Sequence, residues 1–314
     1  MTLTRLPLAL AATLLAGPAL AQSIDSCGET SFTYDEPPTR AISVFQQATE
    51  YMLALGLEDR LIATAYLEDV IPAQWRDGYN TIETHYEEVP AREGVLASDT
   101  DFILSGFVSA FGDNQLGPQA EWHEIGVGTY LVNAECRTIY DGTEPMTTDP
   151  IFVDIERLGA LFGVEERATQ VADDLRGRLD AVRDNDAGEG LTAFLYDSGT
   201  DSPYSAGCCG SPALLLDSVG LTNIAADVEG RWADLAWEAV VTADPDVIVI
   251  NDAVWSTAQE KIDYMEADPV LSQLRAVKEQ NYVLVPFSET LLGMRFVDGV
   301  ERLSAGLEAL DLNS

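Results

Sequence analysis

The sequence predicts an α/β protein of two lobes, each built on a mainly parallel sheet, joined by a long α-helix. Three observations point there. The chain repeats itself: "EGVLASDTDFIL" from Glu93 and "EAVVTADPDVIV" from Glu238 align without gaps and share Glu, Val, Asp, Asp and Ile at the same offsets. Apolar runs of strand length alternate with helical segments, the pattern of parallel sheets covered by helices. Between the halves, Ile151, Ile155, Leu158 and Phe162 fall at helical spacing, and so do Ala168, Val171, Ala172, Leu175 and Leu179.

In chain order, residues 1–21 read as a secretory leader. Arg5 supplies the positive start, Leu6 to Leu15 the short apolar core, and Ala19-Leu20-Ala21 the cleavage pattern, with Gln22 as the mature start. The core is too short to anchor in a bilayer. Cys27 comes too late for lipid attachment, so a soluble periplasmic protein is expected. Residues 22–148 form the first Rossmann-like lobe, with strands at "AISVF" (Ala41–Phe45), "RLIATAY" (Arg60–Tyr66), "DFIL" (Asp101–Leu104) and "GTYLV" (Gly128–Val132). Residues 149–187 are the helical joint, a stiff connection and not a flexible linker. Residues 188–314 are the second lobe, with strands at "LTAFLYD" (Leu191–Asp197), "TNIAA" (Thr222–Ala226), "DVIVIN" (Asp246–Asn251) and "NYVLVP" (Asn281–Pro286). Short apolar helices from Ala48 and Ser211 each close on Gly-Leu, where Gly56 and Gly220 suit the left-handed position after a helix.

Acids outnumber bases 53 to 17, a formal net charge of −36 that becomes −37 once Arg5 is removed with the leader. Such a surface repels nucleic acid and anionic lipid, which excludes those partners. It suits a salty medium, where self-repulsion is screened. The four cysteines, Cys27, Cys136, Cys208 and Cys209, are expected to form disulfides in an oxidising compartment. Cys27 precedes the strand "TSFTY" and Cys136 follows "GTYLV", positions compatible with one end of the first lobe, so a 27–136 bridge is one of the three pairings left open. Adjacent cysteines are closer at Cα than usual disulfide geometry, so for Cys208 and Cys209 a mutual bridge, free thiols and separate pairings all stay open.

"PPTRAISVFQQATEYMLALGLEDRLIATAY" and "GRWADLAWEAVVTADPDVIVINDAVW" resemble the two lobes of periplasmic substrate-binding proteins of ABC importers, in the subgroup for ferric siderophores, cobalamin and haem. The stretch "YDSGTDSPYSAGCCGSPA" is similar to a branch associated with a precursor of a deazaflavin cofactor. The resemblance implies a monomeric binding protein with no catalysis and no intrinsic cofactor. Its cargo would be a metal chelate, and its partners a membrane permease and the ATPase behind it. It also implies that one glutamate per lobe, here Glu93 and Glu238, docks on permease arginines. Their equivalent repeat positions agree with that, although an acid near a helix start is also favoured by the helix dipole alone.

Ligands of parallel α/β sheets bind beyond the carboxyl ends of the strands. Those ends place Gln46, Gln47, Thr49, Tyr66, Glu68, Ser105 and Phe107 at the cleft from the first lobe. From the second lobe come Asp197, Ser198, Tyr204, Cys208, Cys209, Trp232, Asn251, Trp255, Ser288 and Arg295. Ser211 reads as a helix N-cap with Pro212 in the first turn. Two helix N-termini facing one cleft favour an anionic or oxygen-rich ligand. Tyr66, Trp75, Phe107, Tyr204, Trp232 and Trp255 are candidates to stack on a flat ligand, whereas Trp237 reads as core. Arg231 and Arg295 are scarce cations that would pair either with a ligand anion or with a protein acid. Enzymes are disfavoured, because His85 and His123 are the only histidines and no nucleophile elbow is present. A free-metal site would want more histidines, and haem is disfavoured because nothing marks either histidine as an axial ligand.

Overall fold

The computed structural model describes residues 22–136 and 143–312, so the expected leader lies outside the described residues. The first described element is an antiparallel ribbon, β1 (Gln22–Ser26) and β2 (Thr30–Tyr34), turning through Cys27 and Gly28. Then come β3 (Ala41–Val44), β4 (Leu61–Ala65), β5 (Thr84–Tyr86), β6 (Phe102–Ser105) and β7 (Gly128–Leu131). They pair in parallel in the order β5-β4-β3-β6-β7. Every residue of β3, β6 and β7 is buried, as helices on both faces require. The edge strand β5 has no apolar run to betray it, being Thr-His-Tyr.

The second lobe contains β8 (Thr192–Tyr196), β9 (Tyr204–Ala206), β10 (Thr222–Asn223), β11 (Trp232–Asp234), β12 (Val247–Asp252) and β13 (Tyr282–Pro286). Its main sheet is parallel in the order β10-β8-β12-β13, and β9 pairs antiparallel with β11 in a separate ribbon. The strand expected over Thr222–Ala226 shrinks to two residues. Asn223 ends it, because its amide donates to the carbonyls of Ala206 and Gly207 and its oxygen accepts from Ala225 N.

The helical joint is two helices, Asp149–Phe162 and Glu165–Arg183, broken at Gly163, which takes φ 71°. They pack face to face where Gly159 meets Ala168, leaving no room for a Cβ at Gly159. The first helix is tied to the first lobe: Asp154 accepts from the Tyr130 hydroxyl at 2.7 Å and from Asn133 Nδ2 at 2.6 Å. The second, roughly 28 Å long at 1.5 Å per residue, spans the lobes. Its Arg167 donates to the Ala54 carbonyl of the first lobe at 2.9 Å. Its Arg178 grips Asp298 and Glu301 of the Phe296–Leu310 helix of the second lobe at 2.5 and 2.6 Å. One apolar core therefore runs through both lobes, from Tyr51 and Phe102 through Leu158 and Leu175 to Leu195 and Leu303.

Cys27 and Cys136 are joined, 109 positions apart in sequence, and both are buried. A bridge closing so long a loop strongly restricts the unfolded chain. Replacing both by alanine is expected to lower unfolding free energy by roughly 2–5 kcal/mol. Guanidinium unfolding of the oxidised protein and the double variant measures this, and an unchanged midpoint would show that the bridge is not a stabilising one.

Candidate functional site

Two aromatic clusters flank the junction of the lobes. In the first lobe, Phe45 follows β3 with φ 73°, and Tyr66 follows β4 with φ 52°. Bulky side chains seldom adopt such backbone, and where they do the strain is often tied to a site. It is held by hydrogen bonds from Phe45 N to Ala65 O at 2.8 Å and from Tyr66 N to Tyr86 O at 3.0 Å. Phe45 thereby stands edge-on between Tyr66 (5.4 Å) and Phe107 (4.9 Å). Phe45 was not among the expected site residues, because nothing in its neighbours announces a positive φ. In the second lobe, Tyr204 and Trp232 lie nearly parallel, 5.3 Å apart and 11° between planes. Phe287 continues the series 6.5 Å from Trp232 at 19°, and Trp255 meets Phe287 edge-on at 4.7 Å. Tyr66 and Trp255 are the open ends of the two walls, 37% and 48% exposed.

Ion pairs cross between the lobes. Arg295 is buried and donates to Asp69 at 2.9 Å, Ser288 at 2.7 Å and Glu289 at 2.6 Å, with Glu50 3.7 Å away. Ser288 also donates to Asp69 at 2.9 Å, so it serves the junction. Arg231 reaches back to the first lobe, to Glu135 at 3.2 Å and the Ala134 carbonyl at 2.6 Å. Of the two pairings open to these arginines, the structure shows the one with protein acids.

The expected anion sites at helix N-termini are likewise filled from within. Gln46 N, at the start of the Gln46–Ala54 helix, donates to Glu68 Oε2 at 2.9 Å, so a protein carboxylate already sits there. Gln46 also donates to Glu50 and accepts from Asp69 N. Gln47 is buried where Gly106 and Gly293 pack on it from the two lobes. The start of the Ser211–Asp217 helix is covered by Arg231, and Gly210, not Ser211, is its N-cap.

The cysteine pair has a structural setting. Cys208 and Cys209 are bridged to each other, with Cα atoms 3.7 Å apart. Their loop lies backbone-to-backbone on residues 228–231, through Gly207 N to Arg231 O, Cys208 N to Val228 O and Cys209 N to Gly230 O. A Cβ at Gly207 or Gly210 would strike Gly230 or Arg231, which explains the flanking glycines. Cys209 is buried, and Cys208 borders a hollow of about 540 Å³ with Pro145 and Met146.

Other expected positions divide. Asp197 lies at the end of β8, accepting from Asn251 Nδ2 at 2.7 Å and from Ser198, beneath Tyr204. Lys261, buried behind them, donates to the Asn251 and Ser256 carbonyls. Thr49 turns away from the cleft to Ser43, and Ser105 caps its own turn at Phe107. Trp75 lines a separate hollow together with Arg167 and Met294, apart from both aromatic clusters. Trp237 is half-buried on the Phe194 core, as expected for a packing residue. His85 and His123 pair with Thr64 and Thr129, and among the described residues no cluster of acids, histidines or cysteines is arranged to hold a metal.

Residues 42–288 match the profile of the family described as periplasmic binding protein. The chain belongs to this family. It is 25% identical over 290 residues to the ABC transporter substrate-binding lipoprotein YvrC of Bacillus subtilis, covering 91% of this chain and 85% of that protein. It is 24% identical over 233 residues to the vitamin B12-binding protein of Yersinia pestis, covering 73% of each chain. Among solved structures, a periplasmic binding protein from Veillonella parvula superposes with TM-score 0.78 at 27% identity, covering 92% of this chain and 98% of that one. A protein of an Fe3+-hydroxamate transport system from Saccharomonospora viridis superposes with TM-score 0.74 at 24% identity, again covering 92% and 98%. The expectation of a binding protein and not an enzyme holds. Among the described residues, no helix is long and apolar enough to cross a membrane.

In this periplasmic binding protein the interlobe acids carry perturbed protons. Burial pushes Glu50 up to about 8, against the pull of Arg295. Burial likewise pushes Glu68 up to about 7, although Gln46 N–H opposes it. The folded state thus holds a proton that the unfolded chain releases near its ordinary value of 4.5. Stability contributed by Glu50 is present below about 4.5 and is lost as pH rises toward about 8. Glu50→Gln keeps an acceptor for Gln46 and removes the charge. It is expected to stabilise the protein at pH 8 by about 1–3 kcal/mol more than at pH 5, as read by guanidinium unfolding. Equal effects at both values would mean that Glu50 is ionised in the fold.

Proposed function

We propose that this protein is the solute-binding component of an ABC importer. It captures a metal chelate of the ferric-siderophore or corrinoid type between the lobes and delivers it to an inner-membrane permease and its ATPase. The observation that carries the reading is the pair of aromatic walls at the carboxyl ends of both sheets, at the lobe junction. A chelate brings its own donor atoms, so the protein need supply only shape, apolar surface and a few polar groups. The metal is cargo, and no intrinsic cofactor is required. The working form is a periplasmic monomer whose leader is cleaved after Ala21.

Glu93 and Glu238 support delivery. Each is exposed and is the second residue of a short helix, Arg92–Leu96 in one lobe and Trp237–Ala243 in the other. Matched charges on two lobes suit a permease of two related subunits.

Protein purified from its native periplasm is expected to carry a coloured small molecule, read by absorption and by native mass. A colourless sample of unchanged mass that quenches with no chelate from a ferric-siderophore and corrinoid panel would sink the reading. Glu93→Ala with Glu238→Ala is expected to leave ligand affinity unchanged and to lower stimulation of the reconstituted transporter's ATPase at least tenfold. Full stimulation by the double variant would remove these glutamates from docking.

A further inference from the structure

We propose that the cleft selects flat, conjugated ligands carrying no net negative charge and discriminates against polyanions. This rests on the importer reading above and adds the chemical class of its cargo. The planarity follows from the second-lobe wall. Tyr204, Trp232 and Phe287 share nearly one orientation, at 11° and 19° between successive planes. At these spacings parallel rings are offset, so each half-buried ring leaves part of itself uncovered on a stepped apolar surface. A conjugated plane meets that surface over several rings at once, whereas a globular ligand touches it at points. Trp255 stands across the end of the series, edge-on to Phe287, and closes it.

The charge preference follows from how the cations near the junction are engaged among the described residues. An anionic ligand needs a guanidinium, an ammonium or free helix N–H groups. Arg295 is engaged by Asp69, Glu289 and Ser288, and Arg231 by Glu135 and the Ala134 carbonyl. Lys261 is buried on two backbone carbonyls. Gln46 N–H, at the start of the Gln46–Ala54 helix, is taken by Glu68. Acids meanwhile flank the wall: Asp234 is the strand partner of Tyr204 across β9 and β11, and Asp197 N donates to the Tyr204 carbonyl at 2.9 Å. A ligand carboxylate entering here would displace an existing ion pair or face these acids uncompensated, within a chain of net charge −36.

The test uses one ring in two charge states: ferric protoporphyrin with its two free propionates, and its uncharged diester. A neutral, non-planar ferric trihydroxamate is the third probe. Affinities are read by tryptophan quenching on the full mature protein in 0.5 M NaCl, where the diffuse field reaches only a few ångströms. The diester is expected to bind at least tenfold more tightly than the diacid. Trp232→Ala should weaken the diester at least tenfold, and Asp197→Asn, which keeps the fold's polar contacts, should narrow the gap between the two porphyrins. Equal or tighter binding of the diacid overturns the charge preference. Diester affinity unmoved by both variants shows binding elsewhere and also overturns it. Binding of the trihydroxamate with neither porphyrin overturns planarity and leaves the importer reading standing. Failure of all three probes counts against both.

Discussion

The lobe junction depends on a buried guanidinium. Arg295 sits at the start of the last helix, almost without solvent, and gathers Asp69 from the first lobe with Ser288 and Glu289 from the second. A buried cation is tolerated only when its donors are met, and removing one member of such a set strands the others. Arg302 shares Glu289, holding it from the far side at 2.6 Å. Burial in this region raises the proton affinity of the neighbouring Glu50 and Glu68, and Gln46 links the two. In a chain so poor in bases, spending arginines here sets the character of the cleft. Among the described residues, what it leaves for a ligand is the aromatic rings and the acids beside them.

Arg231 repeats the arrangement, and the cysteine loop explains how it is positioned. The bridged Cys208–Cys209 turn, flanked by Gly207 and Gly210, lies flat on residues 228–231 through three backbone hydrogen bonds. Arg231 is thereby presented to Glu135 next to Trp232, which belongs to the aromatic wall. The bridged cysteines thus hold, through these backbone bonds, the strap that leads into Trp232. Neither cysteine takes part in any cluster suited to metal among the described residues.

The long Glu165–Arg183 helix sets how these parts meet. It is clamped to the first lobe by Arg167 and to the second by Arg178, and its inner face belongs to the common core. A helix held at both ends and packed along its length resists large hinge motion, in contrast with a linker of loop residues.

The α/β class, the pairing of two similar halves and most strands were legible in the sequence, because periodic burial is a local property of each segment. "AISVF", "DFIL" and "DVIVIN" are continuous apolar runs because both faces of their sheets are covered. The short polar β5 and the curtailed β10 were not, since sheet pairing and the side chain of Asn223 decided them. The aromatic residues of the site could be named in advance, but their assembly could not. Phe45 joins the wall through a left-handed backbone that no neighbouring residue encodes. Arg295 and Asp69 meet across 226 positions of chain. Whether a scarce arginine serves the ligand or the fold depends on which acids the two lobes bring to it. That is a matter of three-dimensional distance in a low-dielectric junction, which residue order alone does not contain.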